Sequence, residues 1–341
     1  MKKENKIEIS ILIASYQEQE RLPLFLESLN AQTFFSKTEN KDKIEIIIID
    51  DGSTDHTADI LEKYSVFFKN IKILKNTENI GKKESLIKIC KLAKGNYFLF
   101  TDADMILSPF WVEEMYHQRL DFQSVAGISF PKARNLWEGW QQVEYILLFF
   151  SIYLLNKSNI NISVMGNNWL LKRDTYLKVG GYEDLVETPT EDFALFKKIS
   201  LFFRKKGKIL KHNQLFTSKS ALKTYALKEP FSLFQQRLRW AKGAWLGSNH
   251  WERLALFFYG AQLFIWIILF FLDKKTLFYL LFFSFVIDFL LLIVASYKIK
   301  KVKIIFFYLA GFCMYQKILY AVVLVGILLG TPIRWKDKIF K

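Results

Sequence analysis

The sequence predicts an α/β domain with an open, mostly parallel central sheet, followed by C-terminal membrane-spanning helices. Three observations predict it. Four continuous apolar runs lie in the first 104 residues, with helical patterns after the first two; such runs belong to strands buried on both faces, as in parallel sheets. Each run except the third ends in hydroxyls or carboxylates instead of ordinary turn residues. From Leu254 onward, long stretches of Phe, Leu, Ile and Val reach the roughly 20 residues that span a bilayer as helix.

Taken in order, EISILIAS (8–15) is the first strand, ending at Ser15 and Tyr16, and ERLPLFLESLNAQ is the first helix. KIEIIIIDD (43–51) is the second strand, followed by GSTD and the helical HTADILEKY. NIKILKN (70–76) and NYFLFTDAD (96–104) are the third and fourth. From residue 131 the strand–helix rhythm lapses, and residues 137–155 read either as an interfacial helix or as a packed core helix. Residues 1–250 form the expected α/β domain and 251–341 a membrane domain. Its clear spans are 254–272 and 276–296; residues 304–330, interrupted by Gln316 and Lys317, are a third span or a re-entrant segment. The start MKKENKIEISILIASY is basic, but its apolar run is short and broken by Glu8, so it reads as a strand and not a leader. The domain before residue 250 is therefore expected in the cytoplasm, with the multi-pass tail in the inner membrane.

The formal net charge of +15 suits a protein lying against anionic lipid. Nucleic acid is not an expected partner, because no basic stripe accompanies a recognisable binding module. Cys90 and Cys313 lie in dissimilar segments, which argues against a disulfide framework.

The chemistry collects at strand ends, where open α/β sheets bind ligands. On an extended backbone Asp102 and Asp104 share a face, and two carboxylates make half of a site for a hard cation, Mg²⁺ or Mn²⁺, completed by water and phosphate oxygens. In DDGSTD (50–55), Gly52 permits a tight turn and Ser53 or Thr54 can cap the next helix. That capped turn does not require both Asp50 and Asp51. NIGK places Lys82 beside a glycine at a helix start, a natural anion site, although a solvated lysine fits equally well. Thr190 looks like an N-cap with Glu191 and Asp192 in the first turn, where negative charge is favoured in any case. In QRLRW (236–240), Gln236, Arg239 and Trp240 share one helical face. An amide, a guanidinium and an indole together suit a diphosphate and a sugar.

The ordered set DDGSTD, NIGK, DAD, GNNWLLKRDTYLKVGGY, TED, QRLRW resembles the family 2 glycosyltransferases of GT-A fold, over residues 7 to about 243. The resemblance implies that Ser15, Asp50, Asp51 and Lys82 serve the nucleotide-sugar donor, with Asp102 and Asp104 at the metal and diphosphate. It makes Asp192 the catalytic base. Arg239 would meet the diphosphate, Glu191, Gln236 and Trp240 the acceptor, and Gly180 and Gly181 would shape the loop before TED. Membrane-bound members with this last motif include polysaccharide synthases and lipid glycosyltransferases. Here the first strand opens the chain and the apolar segments are few, which favours a lipid-borne acceptor over a polymer channel. The ending TPIRWKDKIFK resembles the short W-K-G-R tail of carotenoid and other lipid glycosyltransferases, with Asp337 in place of the usual glycine. The expectation is a metal-dependent, inverting transfer of a hexose, UDP-linked, to a lipid hydroxyl. Its rivals are a processive synthase of an exported polysaccharide and a membrane scaffold that has kept the fold without catalysis.

Overall fold

The computed structural model describes residues 7–37, 40, 42–300, 307–309, 311–335 and 338–340. In chain order the elements begin β1 (Ile9–Ser15), α1 (Leu22–Asn30), α2 (Thr33–Ser36), β2 (Ile44–Asp50), α3 (Thr57–Ser65), β3 (Ile71–Lys75), α4 (Lys82–Leu92) and β4 (Tyr97–Asp102). They continue with α5 (Trp111–Gln118), β5 (Ser124–Ala126), β6 (Ser129–Lys132), α6 (Leu136–Lys157), β7 (Asn168–Lys172), α7 (Arg173–Lys178), α8 (Glu191–Lys205), β8 (His212–Gln214) and β9 (Leu222–Tyr225). The last are α9 (Pro230–Gly247), α10 (His250–Leu272), α11 (Lys274–Lys298), α12 (Phe312–Leu328), β10 (Ile333–Trp335) and β11 (Lys338–Phe340).

Two units divide the chain: 1–130, 152–186 and 195–224 form the first, and 131–151, 187–194 and 225–341 the second. The first holds a seven-stranded sheet ordered β3-β2-β1-β4-β7-β5-β8. β1, β2, β3 and β4 are mutually parallel, as the sequence predicts, and β7 returns antiparallel to β4 and β5. The continuous apolar runs are explained by burial on both faces. Ile9, Ile11 and Ile13 of β1 pack with Ile44, Ile46 and Ile48 of β2 and with Phe25 and Leu29 of α1 on one face. Leu12, Ile47, Ile49, Phe98 and Phe100 meet Leu86 and Ile89 of α4 and Phe196 of α8 on the other. Fully burying each such side chain contributes about 1.5–3 kcal/mol. In the distal half of the sheet, His212 of β8 sits 2.9 Å through Nδ1 from Ser124 Oγ of β5. Burial pushes its imidazole down to about 3, so it is neutral at physiological pH. Cys90 and Cys313 are free thiols, and burial pushes Cys90 up to about 12, which makes it inert.

In the second unit the first part of α6 packs as a core helix. Trp137 Nε1 and Gln141 Nε2 both donate to the Leu227 carbonyl, at 2.8 and 2.9 Å, and Glu138, Gln141, Gln142 and Glu144 are buried. α10 begins at a capping box, with Asn249 and Glu252 exchanging side-chain and backbone hydrogen bonds. Asp273 ends it and caps α11 by accepting from the amides of Lys275 and Thr276. α10 and α11 are long and apolar enough to cross a membrane, and most of their side chains are exposed.

The segment expected over 304–330 is only partly covered: 304–306 and 310 lie outside the described residues, as do 336–337 of the tail, Asp337 among them. Its helix, α12, has 17 residues, shorter than a typical span. Gln316 and Lys317 are buried within protein. Lys317 Nζ donates to Gln316 Oε1 (3.1 Å) and stands over the rings of Tyr259 (5.3 Å) and Trp266 (5.6 Å) of α10.

Candidate active site

The site residues of the first unit are placed by strand register. Ser15 pairs with Asp50, and Ala14 with Asp102, so β1, β2 and β4 end at one edge. Thr101 pairs with Ile13, two residues before Ser15, which sets Ser15, Asp50 and Thr101 on one face of the sheet. Ser15 Oγ, Asp50 Oδ2 and Thr101 Oγ1 are all buried without a hydrogen-bond partner among the described residues. Buried polar atoms are nearly always satisfied in a native chain, so a row of three marks a place where a ligand or water completes them. Asp50 also lines an open pocket of about 470 Å³ with Asp59, Glu62 and Lys75.

Asp51, expected to serve the donor, is buried and shapes the NIGK loop: Oδ1 accepts from Asn76 Nδ2 (2.8 Å) and the Ile80 amide (3.1 Å), and Oδ2 from the Gly81 amide (2.8 Å). Gly52 makes this possible, with φ +72° and Asn79 N only 2.7 Å from where a Cβ would stand. Ser53 and Thr54 do not cap α3. Ser53 Oγ accepts from the Gln17 amide (3.0 Å) and Thr54 Oγ1 from Gln17 Nε2 (2.8 Å), so the loop after β1 is stitched to DDGSTD. The turn into α3 is made by Asp55, whose Oδ1 accepts from the Thr57 amide at 3.0 Å. Burial opposes the charge on Asp55, but hydrogen bonds from Thr57 and Gln19 hold its carboxyl below the usual range.

The D-x-D geometry also needs correction. β4 stops at Asp102, and Ala103 and Asp104 lie in a turn closed by the Met105 amide to the Asp102 carbonyl (3.3 Å). The alternation argument thus ends at Asp102. Each carboxylate has a cation beside it: Lys82 Nζ donates to Asp102 Oδ1 at 2.7 Å, and Arg21 Nη1 lies 3.6 Å from Asp104 Oδ2. Lys82 is the first residue of α4, as expected, with Gly81 as its N-cap. Arg21, which precedes α1, was not singled out from the sequence. Two half-buried carboxylates fit Mg²⁺ or Mn²⁺ as a donor set. Among the described residues no cluster of three or more Asp, Glu, His or Cys accompanies them, so a cation there takes its remaining oxygens from water and phosphate, as Mg²⁺ commonly does.

In the second unit Glu191 and Asp192 open α8 as expected, and the Asp192 carboxylate accepts from the Phe193 amide at 2.8 Å. Thr190 stands at the cap position but does not cap; its Oγ1 is buried without a partner. Thr190 packs instead onto Gly243 of α9, where any side chain would collide with it. Arg239, expected at the diphosphate, donates through Nη1 to the Pro189 carbonyl (2.8 Å), just before TED, and its guanidinium carbon lies 4.4 Å from the Trp335 ring centre.

Arg237, two residues before Arg239, is buried. It pairs with Glu144 of α6 through Nε to Oε1 and Nη2 to Oε2, both at 2.8 Å. Burial opposes its charge, but the Glu144 carboxylate beside it more than compensates and raises its pKa. Gln236 accepts from Arg237, and Trp240 packs on the Arg237 guanidinium (4.4 Å) and edge-on to Tyr145 (5.5 Å). Ser15, Asp50, Lys82, Asp102 and Asp104 are thus gathered in the first unit, and Glu191, Asp192, Gln236, Arg239 and Trp240 belong to the second.

The family model Glycosyl transferase family 2 matches residues 10–180, and Glycosyl transferase family group 2 matches 97–329. A poly-beta-1,6-N-acetyl-D-glucosamine synthase of Staphylococcus epidermidis is 29% identical over 244 residues, 69% of this chain and 54% of that protein. A dolichyl-phosphate beta-glucosyltransferase of Dictyostelium discoideum is 37% identical over 105 residues, 29% of this chain and 32% of the relative. The chain spans about half the length, or less, of these curated relatives. Among solved structures, a mannosyltransferase from Pyrobaculum calidifontis in complex with GDP-Man and Mn²⁺ superposes with a TM-score of 0.60 at 12% identity, covering 95% of this chain and 88% of that one. That likeness is one of fold.

Proposed function

The chain belongs to glycosyl transferase family 2, and from that premise we propose that it moves a hexose from a nucleotide sugar, UDP-linked, to a lipid-borne hydroxyl at a membrane. The observation that carries this reading is the strand edge where Lys82 and Arg21 flank Asp102 and Asp104 beside three unsatisfied buried oxygens. Cations and carboxylates placed together suit a diphosphate shared with a metal. Asp192 removes the acceptor proton as the hydroxyl attacks the anomeric carbon. Lys82 and Arg21 take up charge on the departing diphosphate. A divalent cation on Asp102 and Asp104 would supply further charge stabilisation there. One base and one direct displacement invert the anomeric centre.

The apolar, exposed α10 and α11 support membrane attachment. α10 leaves the cytoplasmic face and α11 returns to it. α12 does not carry the tail away, since its end is held to α9: Lys242 Nζ donates to the Thr331 carbonyl (2.6 Å) and the Arg334 amide to Gln235 Oε1 (2.8 Å). The C-terminus is therefore expected in the cytoplasm. Labelling of a terminal cysteine by an impermeant reagent in intact cells would contradict this.

Membranes containing the protein should release nucleotide from a UDP-sugar and place labelled sugar in the lipid extract. Asp104→Ala, and EDTA on the parent protein, should each cut release at least about tenfold. Indifference to both would remove the metal from the reading; no release from any sugar donor would remove the enzyme. A second reading, extension of an exported polysaccharide, is favoured by the length of the match to the polysaccharide synthase, which exceeds that to the dolichyl-phosphate enzyme. A labelled product of polymer size would select it.

A further inference from the structure

We propose that residues 331–335 form a strap that positions the TED turn through Arg239. Three contacts seat the strap on α9. The Thr331 carbonyl accepts from Lys242 Nζ at 2.6 Å, the Arg334 amide donates to Gln235 Oε1 at 2.8 Å, and the Trp335 ring lies 4.4 Å from the Arg239 guanidinium carbon. Gln235, Arg239 and Lys242 follow one another at helical spacings of four and three, so the strap runs along one stripe of α9.

Arg239 is the link between strap and turn. Its guanidinium carbon lies 4.4 Å from the Trp335 ring centre while Nη1 donates to the Pro189 carbonyl at 2.8 Å, and Nε is buried without a hydrogen-bond partner among the described residues. A guanidinium held by a single donated bond remains free to swing about it. The cation–π contact with the indole restrains that freedom from a second direction. The turn draws on this support. The Thr190 amide donates to Thr188 Oγ1 (3.3 Å) and its carbonyl accepts from the Ala194 amide (3.1 Å), but Thr190 Oγ1 has no hydrogen-bond partner among the described residues, and the Pro189 end is held by Arg239 and by close packing of Thr190 on Gly243 and Phe193 on Gly247. Asp192 follows within three residues of Pro189. Trp335 is thus a positioning residue, acting on Asp192 through Arg239 and the turn. This rests on the reading of Asp192 as the acceptor's base.

The test uses the full chain in detergent, with Trp335→Ala, Trp335→Phe and Trp335→Leu. Hydrogen exchange of amides 190–194 should quicken in the alanine and leucine variants and stay near parental in the phenylalanine variant, which keeps a ring face. For transfer, Trp335→Ala should lose about tenfold in kcat, equivalent to about 1.4 kcal/mol of barrier, with donor KM within about twofold. Trp335→Phe should restore most of it. Arg239→Lys should reproduce the exchange pattern of Trp335→Ala with the strap itself intact. Unchanged exchange at 190–194 would overturn the proposal, as would a leucine variant as good as the phenylalanine one, which would reduce Trp335 to space filling. If the parent chain transfers no sugar, the enzymatic reading fails, and the exchange comparison alone decides the strap.

Discussion

Asp192→Asn is expected to lower sugar transfer at least about 100-fold, the scale of a lost general base, while nucleotide-sugar binding stays within about twofold. Asparagine keeps the shape of the side chain and an oxygen that can accept from the Phe193 amide, as Asp192 does at 2.8 Å. It cannot take a proton from an alcohol. The competing account makes Asp192 a favourable charge in the first turn of α8, where it contributes only about 0.3–1 kcal/mol to the helix. The two accounts separate in paired measurements. A base predicts nearly normal thermal stability with transfer all but lost. A helix-end charge predicts a small fall in stability with transfer preserved, and near-normal turnover by the asparagine variant would establish it.

Much of the first unit was legible because buried parallel strands write themselves as unbroken apolar runs. β1, β2 and β4 each pack on both sheet faces, where no amphipathic alternative competes with such a pattern, whereas β3, at the sheet edge, is only partly buried and carries Lys72 and Lys75 exposed. β5 and β8 have three residues each, too few to display a period, and β7 owes its antiparallel place to partners 71 and 45 residues from Leu170. At the site, the sequence located residues better than it aimed them. Asp51 stands at a strand end as expected, yet its oxygens turn inward to the Ile80 and Gly81 amides, because the NIGK loop offers two backbone donors that only folding brings near. Alternation extends to Asp104 in the sequence, two residues beyond the end of β4, because DAD carries no glycine or proline to announce the break. Asp55 carries the Asx-turn signal two residues before Thr57, but Ser53 and Thr54 beside it offer equally good cap chemistry in the sequence. Arg21 and Thr101 had no local signal; only register and the approach of the α1 start reveal them. In QRLRW the i, i+3, i+4 spacing drew attention to Arg239, while Arg237, whose partner is 93 residues away, proved to be the arginine the unit is built around.

That pair sets the largest expected loss of stability. Glu144→Ala should destabilise the second unit by about 3–5 kcal/mol, the usual cost of stranding one member of a buried ion pair. Glu144 and Arg237 side chains are 3% and 2% exposed, so water cannot replace the missing partner. The carboxylate also accepts from two tyrosines of α12: Tyr320 gives its hydroxyl to Oε1 at 2.9 Å and Tyr315 to Oε2 at 3.0 Å. Four donors converge on one side chain, which ties α6, α9 and α12 together, and alanine abandons all of them at once. Thermal unfolding of the detergent-solubilised protein should show the loss as a lower midpoint. The double variant Glu144→Leu with Arg237→Met should recover much of it, since removing both charges also removes both desolvation costs. Recovery of folding without recovery of transfer would mean that the pair orients α9, and with it Arg239 and Trp240, beyond merely stabilising it. An alanine variant within about 1 kcal/mol of the parent would show instead that Arg237 finds solvent or another partner, since a truly stranded charge costs several times that amount.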